Sequence, residues 1–298
     1  MLPVLFFKRI LKFKHDALAK LRDKRKAERF SVGPNFTLKG SVNLVGVDNQ
    51  GNLLVPKDGT GRGWGGHLAN ISSSGVSLLL PSAAATTRGE KTILTLTLES
   101  HEVKIDCVVA HFRVLSSYAV CGLELQFTDF VPQKSFLQLL EAVAIGASLA
   151  PVESGQGKRH ATGLSSDLFR ATGKAELYIF RDTSSKAIER FDLVIGEHCL
   201  RGEAKTRELS VYPRGAAAKP FKSGPTTPAA PEVYEEMRRL FRWIAPNLTK
   251  VVPSDVRAFL KQFADQRTTS RPTVDSKAAA WRPPTNPART GGSAPQMR

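Results

Sequence analysis

The sequence predicts a mainly β protein with flanking helices: an antiparallel β-barrel followed by a helix, then a small α+β unit and a disordered basic tail. Three observations carry this. Residues 31–127 alternate apolar and polar side chains at period two between turn-forming clusters, with no helical pattern in between. After Val131-Pro132 the apolar positions switch to helical spacing. Beyond residue 150 the composition breaks repeatedly into Gly-, Ser-, Pro- and Ala-rich stretches that bound a second patterned segment. The 298 residues suit one or two domains plus tails.

Residues 2–28 read as a basic amphipathic helix, with 1–21 as a segment of its own. Phe6, Ile10, Phe13, Ala17 and Leu21 recur at spacings of four and three, widened by Phe7, Leu11 and Leu18. Between Met1 and Phe30 stand ten Lys/Arg against three Asp/Glu. Such a helix suits an anionic membrane surface, or it packs its stripe on protein, as apolar stripes more commonly do. In the barrel, which is expected within 22–149, Phe36 to Val47 is strand-like and Val47 to Gly66 is a Gly- and Asp-rich loop. His67 to Leu80 holds two strand stretches around a tight turn. Thr92 to Leu98 alternates Thr with Leu and Ile, and Glu102–Val114 with Tyr118–Phe127 forms a hairpin. The helix after Pro132 buries Phe136, Leu139, Leu140, Val143 and Ala144 and ends near Ala150-Pro151.

Residues 150–164 read as a linker. A small α+β unit over 165–265 follows, with strands at Ala175–Phe180 and Phe191–Ile195. His198–Arg201 continues the second of these beyond a turn at Gly196-Glu197. Residues 213–231 are a flexible connection, and Pro231–Trp243 is a helix with acids early and arginines late, matching the helix dipole. Ser254-Asp255 caps another helix running to Ala264. Residues 266–298 have the composition of a disordered basic tail.

A net charge of +16 favours phosphate-rich partners. Cys107, Cys121 and Cys199 form no CxxC pair and read as buried thiols in a reducing compartment. With the hairpin turn at Ser116-Ser117, Cys107 should face roughly Gln126, not Cys121. The six histidines lack metal-ligand spacing, so no metal and no cofactor is expected. No apolar run reaches about 18 residues, and the charges follow the Leu2–Phe7 stretch instead of preceding it. The expected location is therefore cytoplasmic, with peripheral contact to the inner membrane surface through residues 2–21. Gly61-Arg62-Gly63-Trp64-Gly65-Gly66 formally fits GxGxxG but leads into a strand, not a helix, which excludes a dinucleotide fingerprint. It still offers Arg62 and Trp64 as residues able to lie over a base. No Ser-His-Asp or Cys-His arrangement stands out, and adjacent His198 and Cys199 point to opposite faces of a strand, so no enzyme is expected.

Two constellations carry chemistry. Arg25 and Arg29 stand in an RxxxR relation within LRDKRKAERFSV, one helical turn apart. Two guanidiniums on one side can chelate phosphate bidentately, stack on a purine and donate to guanine O6 and N7; lysine lacks the planar fork. Forty residues later comes Asn70-Ile71-Ser72-Ser73-Ser74-Gly75, an NxSxxG turn. Its short polar side chains reach either backbone or a base edge, and Gly75 is free to adopt positive φ.

RxxxR before the first strand, NxSxxG on a turn of a small barrel, a CGLELQF last strand ending on Gln126-Phe127, and a closing helix together resemble the PilZ family over about residues 22–149. Asn70 stands where Asp is commoner in that family's pattern. The resemblance implies a site for cyclic di-GMP, often as an intercalated pair. In it Arg25 and Arg29 grip phosphates and guanine Hoogsteen edges, Asn70 and Ser72 bond a guanine edge, and Gly75 shapes the turn. Arg22 and Lys26 are auxiliary and lie outside the matched positions. The implied function is a cyclic di-GMP receptor that couples the second messenger to a protein partner or to its own neighbouring module. The alternative is a ligand-silent PilZ-fold adaptor that holds nucleic acid or anionic membrane through its basic ends. The tail has no aromatic beyond Trp281, which disfavours a specific single-strand site there.

Overall fold

Period-two burial between residues 39 and 126 produces six strands that close on themselves. These are β2 (Lys39–Leu44), β3 (Arg62–Ile71), β4 (Gly75–Pro81), β5 (Lys91–Leu98), β6 (His101–Val114) and β7 (Tyr118–Gln126). They run in the order β3-β2-β5-β6-β7-β4, and β4 pairs back onto β3, all antiparallel. Closure leaves the inward residues a sealed core, including Leu44, Ile71, Leu78, Leu94, Val109 and Cys121, all fully buried. A short preceding strand, β1 (Phe30–Ser31), joins β3 on the edge that β2 has left. The computed structural model describes residues 27–46, 50, 61–99, 101–160, 163–214 and 229–266. The expected basic helix, Arg22, Arg25 and Lys26, the 213–231 connection beyond Arg214 up to 228, and the tail beyond Gln266 lie outside the described residues.

Two expectations are corrected within the barrel. The loop expected up to Gly66 is shorter, because β3 already begins at Arg62. Gly63, Gly65 and Gly66 pair with Asn43, Ser41 and Gly40, and ladder hydrogen bonds from β2 outweigh the low strand preference of glycine. Cys107 faces Leu125, not Gln126, because a bulge between Val109 and His111 shifts the β6–β7 register by one.

After β7, Asp129 caps helix α1 (Phe130–Ser148), its carboxylate accepting the Val131 N–H at 3.0 Å. Helix α1 lies against β1 and β6, and Phe136 is fully buried with its ring 5.5 Å from Phe127.

Residues 150–164 are not a free linker. They carry β8 (Ala150–Pro151) and β9 (Lys158–Arg159), both paired to β10 (Leu164–Arg170). Between them the Gln156 amide donates to the Leu168 carbonyl at 2.5 Å and the Gly157 N–H to Asp167 at 3.0 Å. The sheet continues antiparallel through β11 (Glu176–Asp182), β12 (Ile188–Ile195), β13 (His198–Glu203) and β14 (Leu209–Pro213). Two strands were expected here. β10 and β14 escape a period-two reading because polar Ser165, Ser166, Asp167 and Ser210 interrupt it. Helices α2 (Pro231–Ile244) and α3 (Ser254–Ala264) cover one face, with the Phe191 ring 5.2 Å from Phe241 and 5.3 Å from Phe263. Asp255 sits inside the first turn of α3 and does not cap it. It pairs with Arg181 of β11 at 2.7 Å. Burial alone would raise the Asp255 carboxyl; the Arg181 guanidinium and the Val256 N–H outweigh it and hold the pKa below the usual value.

The barrel core and the core under the second sheet are one continuous cluster, joined through α1, α2 and α3. Asn247, 2% exposed, sits at the joint. Its Oδ1 accepts the Gly33 N–H at 2.7 Å, and its Nδ2 donates to the Trp243 carbonyl at 2.8 Å. Gly33 is required there, since a Cβ would stand 2.2 Å from the Pro246 carbonyl oxygen.

Two expectations follow. Asn247→Ala strands the Gly33 N–H and the Trp243 carbonyl, and should lower unfolding free energy by about 2–6 kcal/mol in urea titrations, at about 1–3 kcal/mol per stranded buried group. Burial pushes the thiols of Cys107, Cys121 and Cys199 from 9.0 up to about 12. A folded pKa raised in this way stabilises fully below 9.0 and loses that contribution as pH climbs towards about 12. Stability should therefore fall across that alkaline window in pH-dependent melts, and the native protein should resist thiol reagents at pH 8 until it is unfolded.

Candidate functional site

The NxSxxG turn joins β3 to β4. Ser72, 3% exposed, spends its hydroxyl inside the turn. Its Oγ donates to the Gly75 carbonyl at 3.0 Å and accepts the Gly75 N–H at 3.1 Å, while the Ser72 N–H donates to that same carbonyl at 2.9 Å. The Ser74 carbonyl accepts the Leu125 N–H at 2.9 Å, tying the turn to β7. Gly75 does not use positive φ, contrary to expectation. It is needed for room, because a Cβ would lie 2.5 Å from the Leu123 carbonyl oxygen.

The short strand β1 brings the arginine segment to this turn. Phe30 pairs with Ile71 and Ser31 with Asn70, and the Val32 N–H donates to the Ala69 carbonyl at 3.2 Å. Arg29 immediately precedes this ladder and is exposed, so it stands at the end of β3 where Ser72 begins the turn. Arg29, Asn70, Ser72 and Gly75 are thus neighbours in the fold despite the forty residues between the two motifs. Arg25, with the auxiliary Arg22 and Lys26, lies outside the described residues.

Register adds residues that no motif marks. Directly opposed residues of antiparallel strands share a face. Asn70 opposes Ser31 on one side and Ser77 on the other, Ser77 opposes Gly122, and Gly122 opposes His111. A polar strip therefore crosses the outer barrel wall from the turn. The His111 ring lies over Gly122 so closely that a Cβ there would meet ring atoms at 1.9–2.6 Å. Ser31 and His111 at its ends are exposed and Asn70 is half-buried, while Ser77 between them is buried. Serines at single positions carry no signal in sequence; only the register across two bulges puts them beside Asn70.

Arg62 and Trp64 are not part of it. The Arg62 guanidinium rests 4.5 Å over the Trp64 ring at the far end of β3. At ~3.3 Å of rise per residue that is about 20 Å from Asn70.

Residues 23–143 match the family model of the PilZ domain. This stretch is a PilZ domain. It ends within α1, so the second sheet and helices α2 and α3 lie beyond the matched residues. Among solved structures, the PilZ domain with c-di-GMP of YcgR from Escherichia coli is similar over 39% of this chain and 87% of that chain, at 10% identity and a TM-score of 0.29. No curated protein matches the chain.

The turn of the PilZ domain is tested by substitution. Gly75→Ala should cost about 1–3 kcal/mol of unfolding free energy, because the methyl meets backbone and not a movable side chain. Ser72→Ala should cost a similar amount by leaving the Gly75 N–H unanswered. Both are read from chemical denaturation with unchanged m-values.

Proposed function

We propose that this protein is a cyclic di-GMP receptor, with Arg25, Arg29, Asn70, Ser72 and Gly75 forming the site and Arg22 and Lys26 assisting. The observation that carries the reading is the β1–β3 pairing, which delivers Arg29 to the NxSxxG turn of a PilZ domain. The ligand is dianionic and bears two guanines. It wants arginine forks for phosphate and Hoogsteen edges, and short polar groups on a flat wall for the rest. Ser72 serves by fixing the turn, since its hydroxyl is engaged by Gly75, while Asn70 faces the outer wall between Ser31 and Ser77.

The receptor passes its state to its own second module, whose further protein partner would read it there. Gly33 lies two residues after β1 and is held by Asn247 beside α2. Ordering of the arginine segment on a ligand pulls on the chain that Asn247 holds. The rival reading, an adaptor whose basic ends hold anionic membrane or nucleic acid, draws on the net charge of +16.

Isothermal titration separates the two. The receptor reading expects saturable heat with cyclic di-GMP and a loss of about tenfold or more for each of Arg25→Ala, Arg29→Ala and Asn70→Ala, the scale of a hydrogen bond to a charged group. Absence of heat at tens of micromolar, with salt-sensitive liposome or DNA binding that survives those substitutions, favours the adaptor instead. In hydrogen exchange the ligand should slow the amides of residues 30–36 and of helix α2. Asn247→Ala should keep the first effect and lose the second.

A further inference from the structure

A cavity lies away from the barrel wall strip, where the β1–β2 connection, the tip of the β5–β6 hairpin and helices α2 and α3 meet. Its volume is about 720 Å³. That is within the ~300–1,000 Å³ typical of small-molecule sites. Its apolar floor includes Phe36, Leu98, Trp243 and Leu248. Its charged wall is the face of α3 that repeats at helical spacing, Arg257, Lys261 and Asp265.

The charges do not cancel. Arg242, at the rim, is taken by Glu99, whose left-handed φ of 55° at the hairpin tip directs its carboxylate across to α2. Arg257 and Lys261 then face Asp265 alone, leaving one cation in excess. The Arg257 Nε–H donates to the Val252 carbonyl at 3.1 Å, which fixes the guanidinium in place and leaves its terminal nitrogens for another acceptor. Trp243, 6% exposed, closes the floor of the same cavity, and its indole N–H is sealed away from solvent.

We propose that this cleft binds a small organic monoanion, a carboxylate carried on an apolar acyl or aryl body. One negative charge matches the single excess cation, the carboxylate oxygens meet Arg257 and Lys261, and the apolar body lies along the floor beside Leu248 and Ala258. This site is independent of the nucleotide site on the barrel wall.

The test uses the full chain and the fluorescent aromatic sulfonate 1-anilinonaphthalene-8-sulfonate as reporter. The native protein should bind one equivalent. Decanoate or 2-naphthoate should displace it, the better of the two telling acyl from aryl preference, whereas inorganic phosphate at equal concentration should not. Saturating cyclic di-GMP should leave the signal in place. The double variant Arg257→Gln, Lys261→Gln should weaken the reporter at least tenfold. Ala258→Trp, which fills the cleft without altering a charge, should abolish its binding while the melting curve stays cooperative. Unchanged reporter binding in both variants, or displacement by phosphate as effective as by decanoate, would overturn the proposal.

Discussion

The β3–β4 turn is where the barrel closes, and the rest of the molecule depends on that closure. Strand β3 pairs with β2 over its first half and with β4 over its last residues, so one strand carries both seams of the ring. The turn between β3 and β4 therefore cannot wander. Ser72 locks it with three hydrogen bonds to Gly75, and Gly75 presses its bare α-carbon against the Leu123 carbonyl. Residues that look like a ligand motif in one dimension are, in three, the fastening of the barrel. The two roles are compatible. A wall held rigidly by its own closure holds Asn70 and Ser31 in place without further ordering, which would lower the entropic cost of binding a ligand there.

Closure also explains why a second module can share the core without breaking the first. The barrel strands pair in a closed ring, so the second sheet does not extend the barrel but is joined through helices. Helix α1 ends beside Ser148, whose hydroxyl meets Thr172 at 2.7 Å, and Asn247 fastens the α2 end to Gly33. The contacts are few and directional where the modules meet in backbone, and apolar where the helices meet. Hydrophobic burial supplies the adhesion there, while the Asn247 hydrogen bonds fix one arrangement among the many that apolar surfaces would tolerate.

Much of the barrel was legible in the sequence because half-buried strands advertise themselves by alternation. Leu94–Leu98 and Leu123–Gln126 are cases where burial follows the pattern residue by residue. The glycine run before His67 was not legible as strand, since propensity points the wrong way and only pairing to β2 overrides it. The Cys107 register failed by one residue because a bulge leaves no mark in composition. In the second module β10 carries Ser165, Ser166 and Asp167 in a row and β14 carries Ser210, so period two fades there. At the candidate site the two motifs gave Arg29, Asn70, Ser72 and Gly75. Ser31, Ser77 and His111 could not be found that way, because their place beside Asn70 is a property of register.

The stretch between β1 and β2 connects all of these features. Arg29 precedes it at the turn, Gly33 is gripped in its middle by Asn247, the Phe36 N–H closes a turn on the Gly33 carbonyl at 3.0 Å, and Asn35, Phe36 and Thr37 form one side of the cleft. Nine residues thus run from the proposed nucleotide site to the proposed carboxylate site. The strap is fixed at its centre by a backbone N–H bond, and it has no slack there, since Gly33 already touches the Pro246 carbonyl. The anchor at Gly33 therefore divides the strap into two halves, one belonging to the barrel wall and one to the cleft, and that division is what lets the two sites act independently.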